Sequence, residues 1–220
     1  MISTQHQLIL ASGSPRRKEL LNELGFHFRI VIPDITEDRK YKESPKSTVE
    51  RLSLAKAVMV SQDIGTGIII GADSLVILDG HAIGKPSSFH EAYKTLKMLR
   101  HREHHVATGI SVIDMSSRKA LTVNVISEVS MRYYSDLQID AYVASGLPMD
   151  KAGAYGIQDD LFHPVNHVEG CYTNVMGLPL CILTDILKGL GISGMERHHI
   201  PSVYGCYKCP AETSFKVSKI

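Results

Sequence analysis

Ser12, Arg16 and Arg17 lie in the stretch Ala11 to Leu21, ASGSPRRKELL, and together describe a place for an anion. Ser12, Gly13 and Ser14 make a small-residue loop with free backbone N–H groups. Pro15 suits the first position of a helix that Ser14 can cap. Arg16, Arg17 and Lys18 then crowd the first helical turn, where the helix dipole is already positive and each cation costs on the order of 0.3–1 kcal/mol. A local rule broken three times running points to a site rather than a scaffold. Backbone donors, a helix N-terminus and two guanidinium forks suit a phosphate group. The alternative is a solvated basic turn, against which the specialised Ser-Gly-Ser-Pro loop argues.

Asp73 is the second residue out of place. It interrupts Ile68–Leu78, IIIGADSLVIL, where a carboxylate must be paired, bound to a metal or at a strand end that reaches water. Counting back from the hairpin signal Asp79-Gly80 sets Lys85 opposite Ser74, one place off Asp73. Strict register would put Lys85 and Asp73 on opposite faces, and a bulge at Gly71 or Gly84 would bring them together.

Other reactive side chains have bland readings beside the chemical ones. Glu37 reads as a solvated loop carboxylate and Lys56 as a solvent-facing helix lysine. His101, His104 and His105 in HREHH do not match a helical metal motif and read as solvated loop imidazoles. Cys206 and Cys209 form a lone CxxC. A structural zinc needs four ligands, and Cys171, Cys181, His198 and His199 complete no regular spacing, so a chance thiol pair is the expectation.

The elements that must position these groups alternate between strand and helix. Strand Leu8–Leu10 leads into helix Pro15–Leu24, closed by Gly25. Strand Phe28–Ile32 and a polar loop from Asp34 to Pro45 follow. A helix capped by Ser47 or Thr48 runs to about Ser61, and the apolar strand Ile68–Leu78 turns at Asp79-Gly80 into a return strand ended by Pro86. Helix Phe89–Arg100, strands within His105–Arg132, helix Asp136–Ser145, a glycine-containing loop Lys151–Gln158 and a last helix from Pro179 to about Leu190 complete the body. The pattern predicts an α/β fold with a mixed, twisted sheet. From Ser193 onward it decays into a tail.

Composition narrows the classes. The chain has 220 residues, 44% hydrophobic and 21% charged, with a formal net charge of +1, which gives no reason to expect nucleic-acid binding. No apolar run approaches the roughly 20 residues of a membrane span, and no signal peptide is expected. All four cysteines lie in the last quarter, so reduced thiols and a cytoplasmic protein are the expectation.

Five motifs in order give the chain a family likeness: LILASGSPRRKELL from Leu8, RLSLAKA from Arg51, IIGADSLVILDG from Ile69 followed by IGKP, YVASGLPMDKAGAYGIQ from Tyr142, and NVMGLPL from Asn174. Through them the chain resembles the Maf family of nucleoside triphosphate pyrophosphatases. The resemblance implies hydrolysis between the α- and β-phosphates of a nucleotide, a divalent cation (Mg²⁺, Mn²⁺ or Co²⁺), two lobes of mixed α/β structure with a cleft between them, as in the Maf and ITPase-like folds, and a homodimer. It covers a domain of residues 1–192 and leaves residues 193–220 outside.

Under that resemblance Ser12, Arg16 and Arg17 look like the phosphate-gripping loop. Glu37 looks like a metal-binding or catalytic glutamate. Lys56 and Lys85 look like phosphate-binding lysines, with Lys85 also among the catalytic groups. Asp73 looks like the catalytic carboxylate that activates water and a metal ligand. SPRR with AGAYGIQ resembles the branch acting on dTTP and UTP, and the Gln158 amide can both donate and accept, as the edge of thymine or uracil requires. The branch acting on 7-methyl-GTP has tryptophan in the first motif and glutamate in place of this glutamine. Asp159 to Val165 depart from the glycine-rich turn common in the family. The alternatives are a pyrophosphatase for 7-methyl-GTP or another non-standard nucleotide, and a nucleotide-binding regulator of cell division and septum formation.

Overall fold

The side chains of strand β3 (Ile68–Leu78) divide between two faces of one sheet, and that division sets the architecture. In a computed structural model, which describes residues 7–38, 40–192 and 216–220, β3 lies parallel to β1 (Leu8–Ala11) and antiparallel to β5 (Glu103–Asp114). The strand order is β2-β1-β3-β5-β6-β7, where β2 is Phe28–Ile30, β6 is Lys119–Met131 and β7 is Val165–Glu169. The hairpin strand β4 (His81–Ile83) pairs with β3, and β8 (Lys216–Lys219) pairs with β6. The sheet is therefore mixed, as its sequence pattern predicts, with helices α1 (Pro15–Glu23), α2 (Pro45–Ser61), α3 (Phe89–Leu99), α4 (Asp136–Ala144), α5 (Tyr172–Met176) and α6 (Leu180–Gly189) flanking it.

On one face Ile68, Ile70 and Ala72 pack with Leu20, Leu21 and Leu24 around α1 and with the apolar stripe of α6. Further along the same face Val76 and Leu78 pack with Leu96 and Leu99 of α3 and Ile139 of α4. Between these two apolar clusters sit Ser74 and Thr108, hydrogen-bonded to each other at 2.9 Å. The polar middle separates two lobes, and the cleft opens there. On the opposite face Ile69 packs with Ala57 and Val60 of α2. Gly71 and Gly109 let α2 lie close to that face: a Cβ on Gly71 would stand 2.3 Å from the Ser53 carbonyl, and one on Gly109 2.2 Å from that of Val49.

Several local expectations are corrected. Ser44 caps α2, accepting from the Ser47 N–H, because the helix begins at Pro45, two residues before Ser47. Ser14 holds the N-cap position of α1, but its side chain makes no capping bond, and its own N–H donates to Ser12 Oγ at 3.2 Å. The β3–β4 pairing runs unshifted from Leu78–His81 to Val76–Ile83 and stops, so no bulge brings Lys85 to Asp73. Strand β5 begins at Glu103 and contains His104 and His105. His104 is buried, hydrogen-bonded to the Tyr155 hydroxyl at 2.7 Å, and held down at about 4 by burial and the neighbouring His105, so it is not a solvated loop imidazole. The expected last helix forms as α6, and a short helix α5 that the sequence pattern does not predict precedes it. Residues 216–219 of the predicted tail join the sheet, while His198, His199, Cys206 and Cys209 lie outside the described residues.

Candidate active site

The odd-numbered side of β3 that faces α2 is apolar until Asp73. Lys56, one turn after Leu52 on α2, reaches the same point. Its Nζ lies 2.7 Å from Asp73 Oδ1 and 2.6 Å from Glu37 Oε1, so one ammonium gathers two carboxylates. Asp73 and Lys56 are buried, at 5% and 6% exposure, whereas the Glu37 side chain is half exposed. The bland readings of Glu37 and Lys56 fail here because the close seat of α2 on Gly71 turns Lys56 inward.

The two carboxylates are pushed in opposite directions. Burial raises Asp73 above the ordinary 3.8, against the pull of the Lys56 and Arg17 charges. Burial also acts to raise Glu37, but the Lys56 hydrogen bond and the charges of Lys56, Lys85 and Arg17 outweigh it, so Glu37 lies below its ordinary 4.5. Paired groups pushed apart in this way can take different roles in one site. The Glu37 loop is braced by Arg51 of α2, which donates to Glu43 at 2.7 and 2.6 Å and to the Asp38 carbonyl at 3.0 Å.

The two arginines of the first helical turn have separate surroundings. Arg17 is buried and its guanidinium donates to Ser12 Oγ at 3.2 Å, Ser74 Oγ at 3.1 Å and the Gly177 carbonyl at 2.9 Å. It fastens α1 to β3 and to the end of α5, and burial lowers its pKa. Arg16 points across the cleft to Asp150, 2.7 Å away, which also accepts from Lys151 at 3.0 Å. Asp150 ends a 3₁₀ turn, Leu147–Asp150, in the opposite lobe.

These groups line one cleft of ≈ 520 Å³ together with Gly13, Ser14, Lys85, Tyr155 and Gln158. Lys85 is exposed at its rim and makes no salt bridge among the described residues. Gln158 lines the same cleft as Asp73, and its Oε1 is buried with no hydrogen-bond partner among the described residues. All eight sequence-predicted positions, Ser12, Arg16, Arg17, Glu37, Lys56, Asp73, Lys85 and Gln158, therefore border one space. Among the described residues no group of three or more His, Cys, Asp or Glu side chains could hold a metal ion, so His101, His104 and His105 form no such centre.

Across known proteins, the model of the family described as Maf-like protein matches residues 7–190. The chain belongs to the Maf family. The dTTP/UTP pyrophosphatase of Dictyoglomus turgidum is 45% identical over 188 residues, covering 85% of this chain and 97% of that protein. The protein of the same name from Dictyoglomus thermophilum is 44% identical over 188 residues, with the same coverage. That of Geotalea uraniireducens is 40% identical over 191 residues, 87% of this chain and 98% of its own length.

The Maf motifs enclose residues that sequence reasoning passed over. Asp150 and Lys151 stand inside YVASGLPMDKAGAYGIQ, yet neither has a spacing that marks it. Ser74 directly follows Asp73, and only the strand alternation turns it to the other face, where it meets Arg17. Arg51 opens the RLSLAKA motif, and its partner Glu43 lies in a loop without periodicity.

Proposed function

We propose that this chain hydrolyses dTTP and UTP between the α- and β-phosphates, giving the nucleoside monophosphate and pyrophosphate. The observation that carries the reading is the meeting of Asp73 and Glu37 on Lys56 in a cleft also lined by Gln158, whose side-chain carbonyl is buried and unpartnered among the described residues. Close relatives named dTTP/UTP pyrophosphatase support the same substrates.

A triphosphate brings close to four negative charges. The Ser12–Ser14 loop, Arg16 and Lys85 line the space where it would lie. Arg17 holds that loop by its bond to Ser12 and acts as a positioning residue. Asp73, raised by burial, is a base closer to neutral pH than a free aspartate. It takes a proton from water as the water oxygen bonds to phosphorus, and the bridging oxygen leaves with pyrophosphate. Lys56 holds Asp73 and Glu37 in place, and Lys85 neutralises charge growing on the leaving group. Two carboxylates converging on one cationic point suit Mg²⁺, Mn²⁺ or Co²⁺ completed by phosphate oxygens and water, so Glu37 and Asp73 would hold such a cation, which supplies further charge neutralisation.

Gln158 reads the base. An amide pairs with the carbonyl and N3–H of uracil or thymine, and a base with another edge leaves it unsatisfied. The test is kcat/KM for dTTP, UTP, CTP, GTP, 7-methyl-GTP and ATP in one metal buffer, with pyrophosphate and orthophosphate measured separately. dTTP and UTP are expected to lead, with one pyrophosphate per turnover. A purine triphosphate ahead by tenfold or more would overturn the base reading, and orthophosphate with a diphosphate product would overturn the reaction. The reading includes a homodimer, which sedimentation over a concentration series checks.

A further inference from the structure

Gln158 stands on an irregular turn, and the structure shows what holds that turn. Gly156 to Asp159 form a four-residue turn in which the Asp159 N–H donates to the Gly156 carbonyl at 3.2 Å. The Asp159 carboxylate returns to the same residue: Oδ2 accepts from the Gly156 N–H at 3.1 Å. The same oxygen accepts from the Tyr142 hydroxyl of α4. The Asp159 carbonyl accepts from the His163 N–H at 2.8 Å. Gly156 is enclosed here, because a Cβ on it would stand 2.8 Å from Asp159 Oδ2 and 2.9 Å from Lys151 Cε.

The anchor itself is firm. The Tyr142 ring stacks on Phe162 with centroids 4.2 Å apart and planes 11° apart, and Phe162 is buried against Tyr134. Arg132 donates to the carbonyls of Phe162 and His163. The segment that departs from the family's glycine-rich turn is therefore tied to α4 and to the end of β6. Its one carboxylate on the turn points at the residue two before Gln158, not at solvent.

We propose that Asp159 is a positioning residue for base selection: it clamps the Gly156–Asp159 turn to Tyr142 and so holds the Gln158 amide at the angle that accepts a uracil edge. This rests on the reading of Gln158 given above. Without the clamp the turn keeps one backbone bond and gains freedom at its tip, where Gln158 sits. An amide free to rotate meets the N3–H of uracil or the unprotonated N3 of cytosine equally well, so discrimination falls while the grip on phosphate stays.

The test uses the full chain and compares kcat/KM for UTP and CTP in the wild type, Asp159→Ala, Asp159→Asn and Tyr142→Phe, with inhibition by inorganic tripolyphosphate as a probe without a base. Asp159→Ala is expected to lower the UTP-to-CTP ratio about tenfold, the scale of one displaced hydrogen bond. Tripolyphosphate inhibition should stay within about twofold in the same variant, since the phosphate contacts are untouched. Asp159→Asn keeps an acceptor oxygen of the same shape and is expected to recover most of the ratio. Tyr142→Phe keeps the stack on Phe162, removes only the hydroxyl, and is expected to shift the ratio about threefold in the same direction. An unchanged ratio in Asp159→Ala, or an equal loss for both nucleotides, overturns the inference. Should that variant fail to fold, an unchanged ratio in Tyr142→Phe overturns it. A wild type with no preference for UTP over CTP brings down the Gln158 reading first, and the clamp's role in selection with it.

Discussion

The two walls of the cleft are built from different materials. The wall that holds Asp73 is made of regular elements: Asp73 on β3, Lys56 on α2 and Arg17 on α1. Their side chains are buried, Lys56 bonded to Asp73 and Arg17 to Ser12, Ser74 and Gly177, and the elements are fixed by a large apolar core. The wall that holds Gln158 is made of short turns, with Gly153 and Ala154 at positive φ and Gln158 on a turn closed by a carboxylate. Regular elements hold charges at fixed distances, which proton transfer and charge stabilisation require. Irregular turns allow an amide to be placed at an angle that a helix or strand does not offer, at the cost of needing their own tethers.

The comparison breaks first if the regular wall does not carry the chemistry. Asp73→Asn removes the base and keeps the shape, so turnover of dTTP should fall about 10²–10⁴-fold with the fold unchanged by circular dichroism. The same variant should lose the acidic limb of the wild-type kcat/KM profile. That limb should rise with pH as Asp73 ionises, at a midpoint above the ordinary 3.8 because burial raises it. Near-normal turnover in Asp73→Asn would end its proposed role.

Next come the charges at the mouth. Arg16→Ala and Lys85→Ala should each lower kcat/KM for dTTP roughly ten- to hundredfold, the range for losing about 1.5–3 kcal/mol of charge-assisted contact. Arg16 has the smaller expected effect, since it leaves Asp150 to compete for it in the free enzyme. Unchanged kcat/KM in both variants would refute the phosphate role of this side.

Gln158→Ala sharpens the contrast between the walls. It should lower the UTP-to-CTP ratio about tenfold or more and leave inhibition by tripolyphosphate within about twofold. A parallel loss of tripolyphosphate inhibition would mean that the base wall also grips phosphate.

The smallest expected effect tests the brace on the Glu37 loop. Arg51 holds Glu43 down at about 2, chiefly by its hydrogen bond. A depressed carboxylate contributes stability above its unfolded pKa, near 4.5, and loses it as pH falls toward 2. Glu43→Gln should therefore melt about 2–4 °C below the wild type at pH 7, the shift of roughly 1 kcal/mol in a chain of this size. The gap should close as pH drops from about 4.5 toward 2. A gap that persists at pH 2 would mean that Glu43 stabilises by packing rather than by charge.

The amino-acid sequence by itself determined much of the frame. The largely apolar run of Ile68–Leu78 and the Asp79-Gly80 pair specify a long strand and hairpin; the strand forms with the boundaries that run predicts, and the return strand is His81–Ile83. The crowding of Arg16 and Arg17 at a helix start, and Asp73 within an apolar strand, were legible as sites because each breaks a local rule, and breaking it needs a partner nearby. Lys56, Glu37 and Gln158 break no local rule, and only the family likeness drew attention to them. Tertiary structure alone decided the rest. Gly71 and Gly109 look like weak points in strands until α2 lies across them and brings Lys56 to Asp73. Arg17 and Arg16 are adjacent in the chain, but the helix sends one into the core and the other across the cleft to Asp150. His104 sits among polar neighbours and reads as solvated, and Asp159 stands out in the sequence only as part of a departure from the family's glycine-rich turn. They are fixed by Tyr155 and Tyr142, 51 and 17 residues away, contacts that local periodicity does not encode because they depend on how distant elements pack.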